Sequence, residues 1–119
     1  MGRSTTVERQ PDKLEFLQGT LELLILRSLR LGANHAYGIS KFLEHHSDHD
    51  FVVDNGSLYP ALQRLLQRGW VTANWKTTPN GRRARYYALT RPGKEQLTAG
   101  ASRWLRFAGA VGRILALEK

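Results

Sequence analysis

Basic side chains gather in one stretch of this chain, and their types suit contact with a polyanion. Between Asn55 and Lys94 stand Arg64, Arg68, Lys76, Arg82, Arg83, Arg85, Arg91 and Lys94, with no Asp or Glu among them. The net charge is +8, and the remaining basic residues are balanced by the acidic ones, so the whole excess lies in that stretch. Charge segregated in this way is the footprint of a polyanion-binding surface. An ordinary solvated face mixes both signs. Arg and Gln carry paired hydrogen-bonding groups that match guanine and adenine edges. Tyr59, Gln63, Arg64 and Arg68 follow closely on Asn55 and Ser57, which makes this segment the candidate base reader.

Other chemistries are less well supplied. His45, His46 and His49 lie near Asp48 and Asp50, and His45 and His49 have a workable ligand spacing on a helix. They read better as polar residues at a helix end, where His favours the negative end of the dipole, so no metal is expected and no cofactor. Asn55-Gly56-Ser57 is formally a glycosylation sequon, but without a leader the capping role of these residues wins. No cysteine is present, which excludes disulfides, thiol catalysis and Cys-based zinc sites. A Gly-rich phosphate loop, a nucleophile elbow, an HExxH motif and an inward-facing carboxylate pair are all missing, so the chain reads as a non-enzyme. Apolar runs are too short for a membrane span, and the opening shows no leader. The expectation is a cytoplasmic protein with no membrane partner.

The chain has 119 residues, 41% of them hydrophobic and 24% charged, which suits one small domain with an extended helix. Residues 1–13 are polar and aperiodic and read as a flexible N-terminal arm. Residues 14–31 read as a helix apolar on most of its circumference, which implies burial on more than one side. A shorter helix is expected over 36–46, and Phe51-Val52-Val53 suit a short strand. Residues 57–68 form a third helix, with Ser57 as N-cap, Pro60 in the first turn and Gly69 closing it. Its buried stripe is Leu58, Ala61, Leu62, Leu65 and Leu66.

Strand-like runs at 70–78 and 84–90 flank Pro79-Asn80-Gly81, a strong hairpin signal. A two-residue Asn80-Gly81 turn pairs Trp75 with Tyr86. A loop one residue longer pairs Trp75 with Tyr87 and Ala73 with Leu89, and is preferred because it collects the apolar side chains. Thr90 caps a last helix over 93–118, with Pro92 in its first turn. There Leu97, Ala101, Trp104, Ala108, Val111 and Leu115 keep heptad spacing, and Leu105, Phe107 and Ile114 widen the stripe. Three glycines weaken this helix by about 1 kcal/mol each, so it needs a partner surface. Trp104 and Phe107 serve packing between chains better than a ligand pocket.

Three helices, a hairpin and a final helix are the pattern of a winged helix-turn-helix: mainly α with a small β-hairpin, plus a C-terminal dimerisation helix. Residues 14–91 form the DNA-binding domain and 92–119 the dimerisation helix. The third helix enters the major groove, and the wing arginines reach phosphates or the minor groove. The alternatives are a protein-interaction module and a non-specific nucleic-acid binder.

Ser57-Leu58-Tyr59-Pro60-Ala61-Leu62, Leu65, Gly69-Trp70-Val71 and Arg85-Tyr86-Tyr87-Ala88-Leu89-Thr90 with Gly93 resemble the PadR family of bacterial transcriptional regulators. Gly19-Thr20-Leu21 with Leu24 and Leu29, and His35-Ala36-Tyr37-Gly38-Ile39, resemble that family's first two helices. Trp104, Phe107, Val111, Ile114 and Leu115 resemble its last, so the likeness spans about residues 16–117. It implies a homodimeric repressor on an inverted-repeat operator in double-stranded DNA. Tyr59 would contact DNA, and the wing would grip the backbone. The DNA-binding set is then Asn55, Ser57, Tyr59, Gln63, Arg64, Arg68, Lys76, Arg82, Arg83 and Arg85. The dimer interface is Leu21, Leu24, Leu97, Trp104, Leu105, Phe107, Ala108, Val111, Ile114 and Leu115. A single C-terminal helix resembles the compact branch of the family and leaves a small-molecule effector unsupported.

Overall fold

The computed structural model describes residues 19–118. The proposed arm, and the part of the first helix before Gly19, lie outside them. In chain order the elements are α1 (Thr20–Ser28), β1 (Asn34–His35), α2 (Ala36–His46), α3 (Asn55–Gln67), β2 (Val71–Thr77), β3 (Arg83–Leu89) and α4 (Arg91–Leu115). The three strands form one antiparallel sheet in the order β1-β3-β2. Three helices and this small sheet enclose one core, as a winged helix requires.

The core is apolar because each element turns one stripe inward. Ile25 and Leu26 of α1, Ile39 of α2, and Leu58, Leu62 and Leu65 of α3 are fully buried side chains. Val71 and Tyr87 close the core from the sheet, and Leu97 from α4. Helix α1 stops at Ser28, short of Gly32. The Leu29 and Arg30 amides bond back only three residues, to Leu26 and Arg27, a tightening common at helix ends. Leu31 is left in solvent.

Helix α3 starts two residues before Ser57. Asp54 is the N-cap, and its Oδ1 accepts from the Ser57 amide at 2.8 Å. A carboxylate at this position satisfies an orphan amide and complements the helix dipole. Pro60 is therefore inside the helix rather than in its first turn. It leaves the Gly56 carbonyl without its helical donor, at an exposed position where solvent reaches it. At the other end the Trp70 amide bonds to Leu65 and the Gly69 amide to Leu66, the paired bonds of a glycine-closed helix.

Phe51-Val52-Val53 is not a strand. Val53 is buried and its carbonyl accepts from the Ser40 hydroxyl. The edge of β3 opposite β2 is occupied instead by Asn34 and His35, paired with Tyr87 and Tyr86. Two residues are too short a strand to show in a sequence pattern.

The hairpin takes neither expected register. Val71 pairs with Leu89, Ala73 with Tyr87 and Trp75 with Arg85. Its loop is three residues long, but it takes in Pro79 instead of Arg82. The Gly81 amide donates to the Thr78 carbonyl at 2.9 Å, and Thr78 and Arg82 face each other. Pro79 has the fixed φ that the first central position of a turn prefers. Gly81 has φ of 87°, the left-handed residue that completes a three-residue hairpin loop. Relative to the longer-loop register the shift is two residues, so every side chain keeps its face.

Helix α4 is capped by Thr90, whose Oγ1 accepts from the Gly93 amide at 3.1 Å. Its first half packs on α1 and the sheet. Leu21 and Leu97, expected at a dimer interface, lie in the chain's own core. Leu24, Ala108 and Val111 are half-buried. Beyond them Leu105, Phe107, Ile114 and Leu115 are 69%, 63%, 68% and 78% exposed, and Trp104 is partly covered. The Trp104 Nε1 donates to the Thr20 hydroxyl at 3.3 Å.

Candidate nucleic-acid interface

The core stripe of α3 decides which of its side chains face out. With Leu58, Ala61, Leu62 and Leu65 inward, a helix turning about 100° per residue points Gln63 and Gln67 away from the body. Tyr59 stands on one flank of that outward line and Arg64 on the other. Asn55, Ser57, Tyr59 and Gln63 are all exposed. Asn55, Ser57 and Tyr59 occupy the N-terminal half of α3, the half that meets base edges in this motif, and Gln63 stands one turn beyond Tyr59.

Tyr59 lies on the wing side. It acts electrostatically on Tyr87, whose hydroxyl ionises above the ordinary tyrosine range because burial disfavours the phenolate. The neighbouring Arg85 guanidinium works against that rise, and Tyr59 adds to it. Tyr87 anchors β3 in the core while Arg85 stands over its ring, 5.9 Å from the centroid. Two residues on, Arg83 stands over Trp75 at 5.3 Å. Arg83, Arg85 and Tyr87 share one face of β3, since side chains alternate along a strand. Lys76 is on the opposite face, over Tyr86 at 5.6 Å. Arg82 is exposed at the loop, its amide donating to the Thr78 hydroxyl. The wing thus carries cations on both faces and at its tip, and aromatic rings hold three of them in place.

Arg64 and Arg68 are placed elsewhere. The Arg64 Nε bonds Glu22 Oε2 of α1 at 2.5 Å. Arg68 stacks on Trp70 at 5.1 Å and lines a groove with Trp104 and Phe107 of α4. So α3 turns Tyr59 toward Tyr87 and Arg85 of the wing, Gln63 points outward, Ser57 lies on the flank of Arg64, and Arg64 and Arg68 face α1 and α4. Trp75, 60% exposed on the wing, belongs to the surface and was not among the expected residues. Its place opposite Arg85 follows only from the true hairpin register.

The histidines are used locally. His35 caps α2 through Nδ1, which accepts from the Gly38 amide at 3.0 Å. His46 packs on Phe42, and His45 on His46. His49 and Lys41 hold the Glu44 carboxyl below its ordinary value, His49 by a hydrogen bond at 3.3 Å. Among the described residues no group of three or more His, Cys, Asp and Glu side chains is arranged to hold a metal ion. No helix among them is long and apolar enough to cross a membrane.

The chain is similar to known transcriptional regulators. A PadR-like transcriptional regulator from Bacillus cereus is 29% identical, with a TM-score of 0.74 over 86% of this chain and 97% of its own. A PadR family transcriptional regulator from Eggerthella lenta is 28% identical, with a TM-score of 0.69 over 85% and 86%. An uncharacterised protein of Lysinibacillus sphaericus is 26% identical over 90 residues, covering 76% of this chain and 83% of that one. Residues 25–99 match the model of the transcriptional regulator PadR-like family. That match takes in α2, α3, the whole wing and the start of α4, so the chain belongs to the PadR-like family and is a DNA-binding transcriptional regulator, not an enzyme.

Proposed function

We infer that this regulator is a repressor acting as a homodimer on an inverted-repeat operator. The observation that carries the reading is the outer half of α4, where Leu105, Phe107, Ile114 and Leu115 stand exposed on one helix. Large apolar side chains gathered on a single projecting element mark an association surface. A two-fold dimer built on α4 presents two copies of α3, and two-fold protein symmetry is mirrored by palindromic DNA. Repression needs nothing beyond occupancy, because a bound dimer excludes other proteins from the same duplex. The working compartment is then the cytoplasm.

In this reading Tyr59 and Gln63 meet base edges, with Asn55 and Ser57 at the start of α3 beside the backbone. Arg82, Arg83, Arg85 and Lys76 hold phosphates or the adjacent minor groove. The test is selection of bound sequences from random duplexes, with the molecular mass measured at the same salt. An enriched inverted repeat bound by a dimer is the expected result. An enriched single half-site bound by a monomer would overturn the dimeric reading, and no enrichment would overturn sequence-specific repression.

A further inference from the structure

The charge segregation of the sequence is broken in space where Glu22 meets Arg64. Glu22 comes from outside the basic stretch, and α1 carries it against the DNA-facing helix. It is 8% exposed, and its Oε2 lies 2.5 Å from the Arg64 Nε. Arg91 of the basic stretch also has a carboxylate nearby, Glu95 at 4.0 Å, but that pair lies in solvent. Among the described residues Arg64 is the cation of α3 held by a buried acid.

The position of Arg64 makes this consequential. From the core stripe of α3, Tyr59 and Arg64 stand at mirror positions, each about 70° from the outward line. Tyr59 is turned toward the wing. Arg64, whose side chain is 47% exposed, would be as well placed for a phosphate on the other side, were its guanidinium not tied through Nε to Glu22. A charge-assisted bond to a carboxylate is strong. Pulling Arg64 away would leave the largely covered Glu22 carboxylate without its partner, which is unfavourable. A phosphate contact at the DNA surface, in high dielectric, does not offset that.

We propose that Glu22 is a positioning residue that sets DNA specificity by withholding Arg64 from the backbone. An arginine free on this flank would add affinity for any duplex, because phosphate contacts carry no sequence information. Latched on Glu22, it leaves recognition to the Tyr59–Gln63 side of α3 and to the wing. The proposal rests on α3 and the wing being the DNA-contacting elements.

The test compares the salt dependence of binding to a non-operator duplex for the whole protein and its variants. Each phosphate contact contributes a slope of about 0.9. Arg64→Ala alone leaves slope and affinity unchanged. Glu22→Gln, or Glu22→Ala where the amide still holds the guanidinium, steepens the slope by about one unit. It also tightens non-operator binding severalfold. Adding Arg64→Ala to either variant removes that gain. The non-additivity separates a released arginine from the simple loss of a negative charge. Thermal melts confirm that each variant is folded under the assay conditions. Arg82→Ala is the control and flattens the slope. The latch is overturned if Arg64→Ala flattens the slope as Arg82→Ala does, or if both Glu22 variants leave it unchanged. If Arg82→Ala has no effect either, the wing assignment beneath the proposal fails.

Discussion

At the residue scale, base reading and backbone gripping separate into measurable quantities. Gln63 points outward from α3 and carries an amide, which can pair with two groups of one adenine. Gln63→Ala should relax sequence preference at one base-pair position per half-site, at a cost of about 1–3 kcal/mol there. Its salt slope should stay as in the parent protein. A variant that lost affinity equally for every sequence would move Gln63 to the backbone-contacting set. Tyr87 supplies a different test, through pH. Its hydroxyl ionises higher in the folded chain than in the unfolded one because of burial. The unfolded chain therefore loses this proton first as pH rises. Its contribution is fully present below about pH 10, the ordinary tyrosine value, and is lost as pH climbs through the folded pKa. Alkaline denaturation of the parent should show this loss, and Tyr87→Phe should lack it.

At the element scale, what positions α3 and α4 is a small number of caps and close approaches. Asp54→Ala should destabilise the protein by about 1 kcal/mol, the usual loss for an N-cap, read from denaturant midpoints. Ser57→Ala should be nearly silent in the same measurement, since it is the Ser57 amide that is capped. Gly93 is more demanding. A Cβ there would sit 2.0 Å from the Trp70 carbonyl oxygen and 2.9 Å from its carbon. These are backbone atoms, and no rotamer change relieves the clash. Gly93→Ala should lower stability by more than the removal of the Asp54 cap, in the same denaturant series. The helices were legible because their apolar stripes repeat: α2 spans 36–46 as expected, and Thr90 caps α4. The start of α3 was misplaced because Asp54 and Ser57 are both good caps, and choosing between them needs the backbone. The hairpin was legible as a hairpin, but not its register. Gathering the apolar side chains favours a loop over 80–82, and the preference of Pro79 for a central turn position moves the three-residue loop to 79–81. The Glu22–Arg64 pair could not be read from the sequence, because a contact between residues that far apart leaves no periodic mark.

At the scale of the whole molecule, the exposed apolar surface of α4 argues for a second copy. The 25 residues of α4 make a rod of about 37 Å. Its first half is part of the core, and its outer half carries the exposed Leu105, Phe107, Ile114 and Leu115. Removing that surface from water is the natural driving force for association. Ile114→Glu places a charge on the outer half at a position with no contact to the core. Glu is a good helix former, so helix content and the winged-helix body should stay intact. The molecular mass should fall from that of a dimer to that of a monomer. Affinity for a single half-site should be unchanged. Affinity for the full inverted repeat should fall by about 10²-fold or more, because two linked sites bind far more tightly than either alone. A variant that stayed dimeric, or lost half-site and full-site affinity equally, would show that the outer half of α4 is not where the two copies meet.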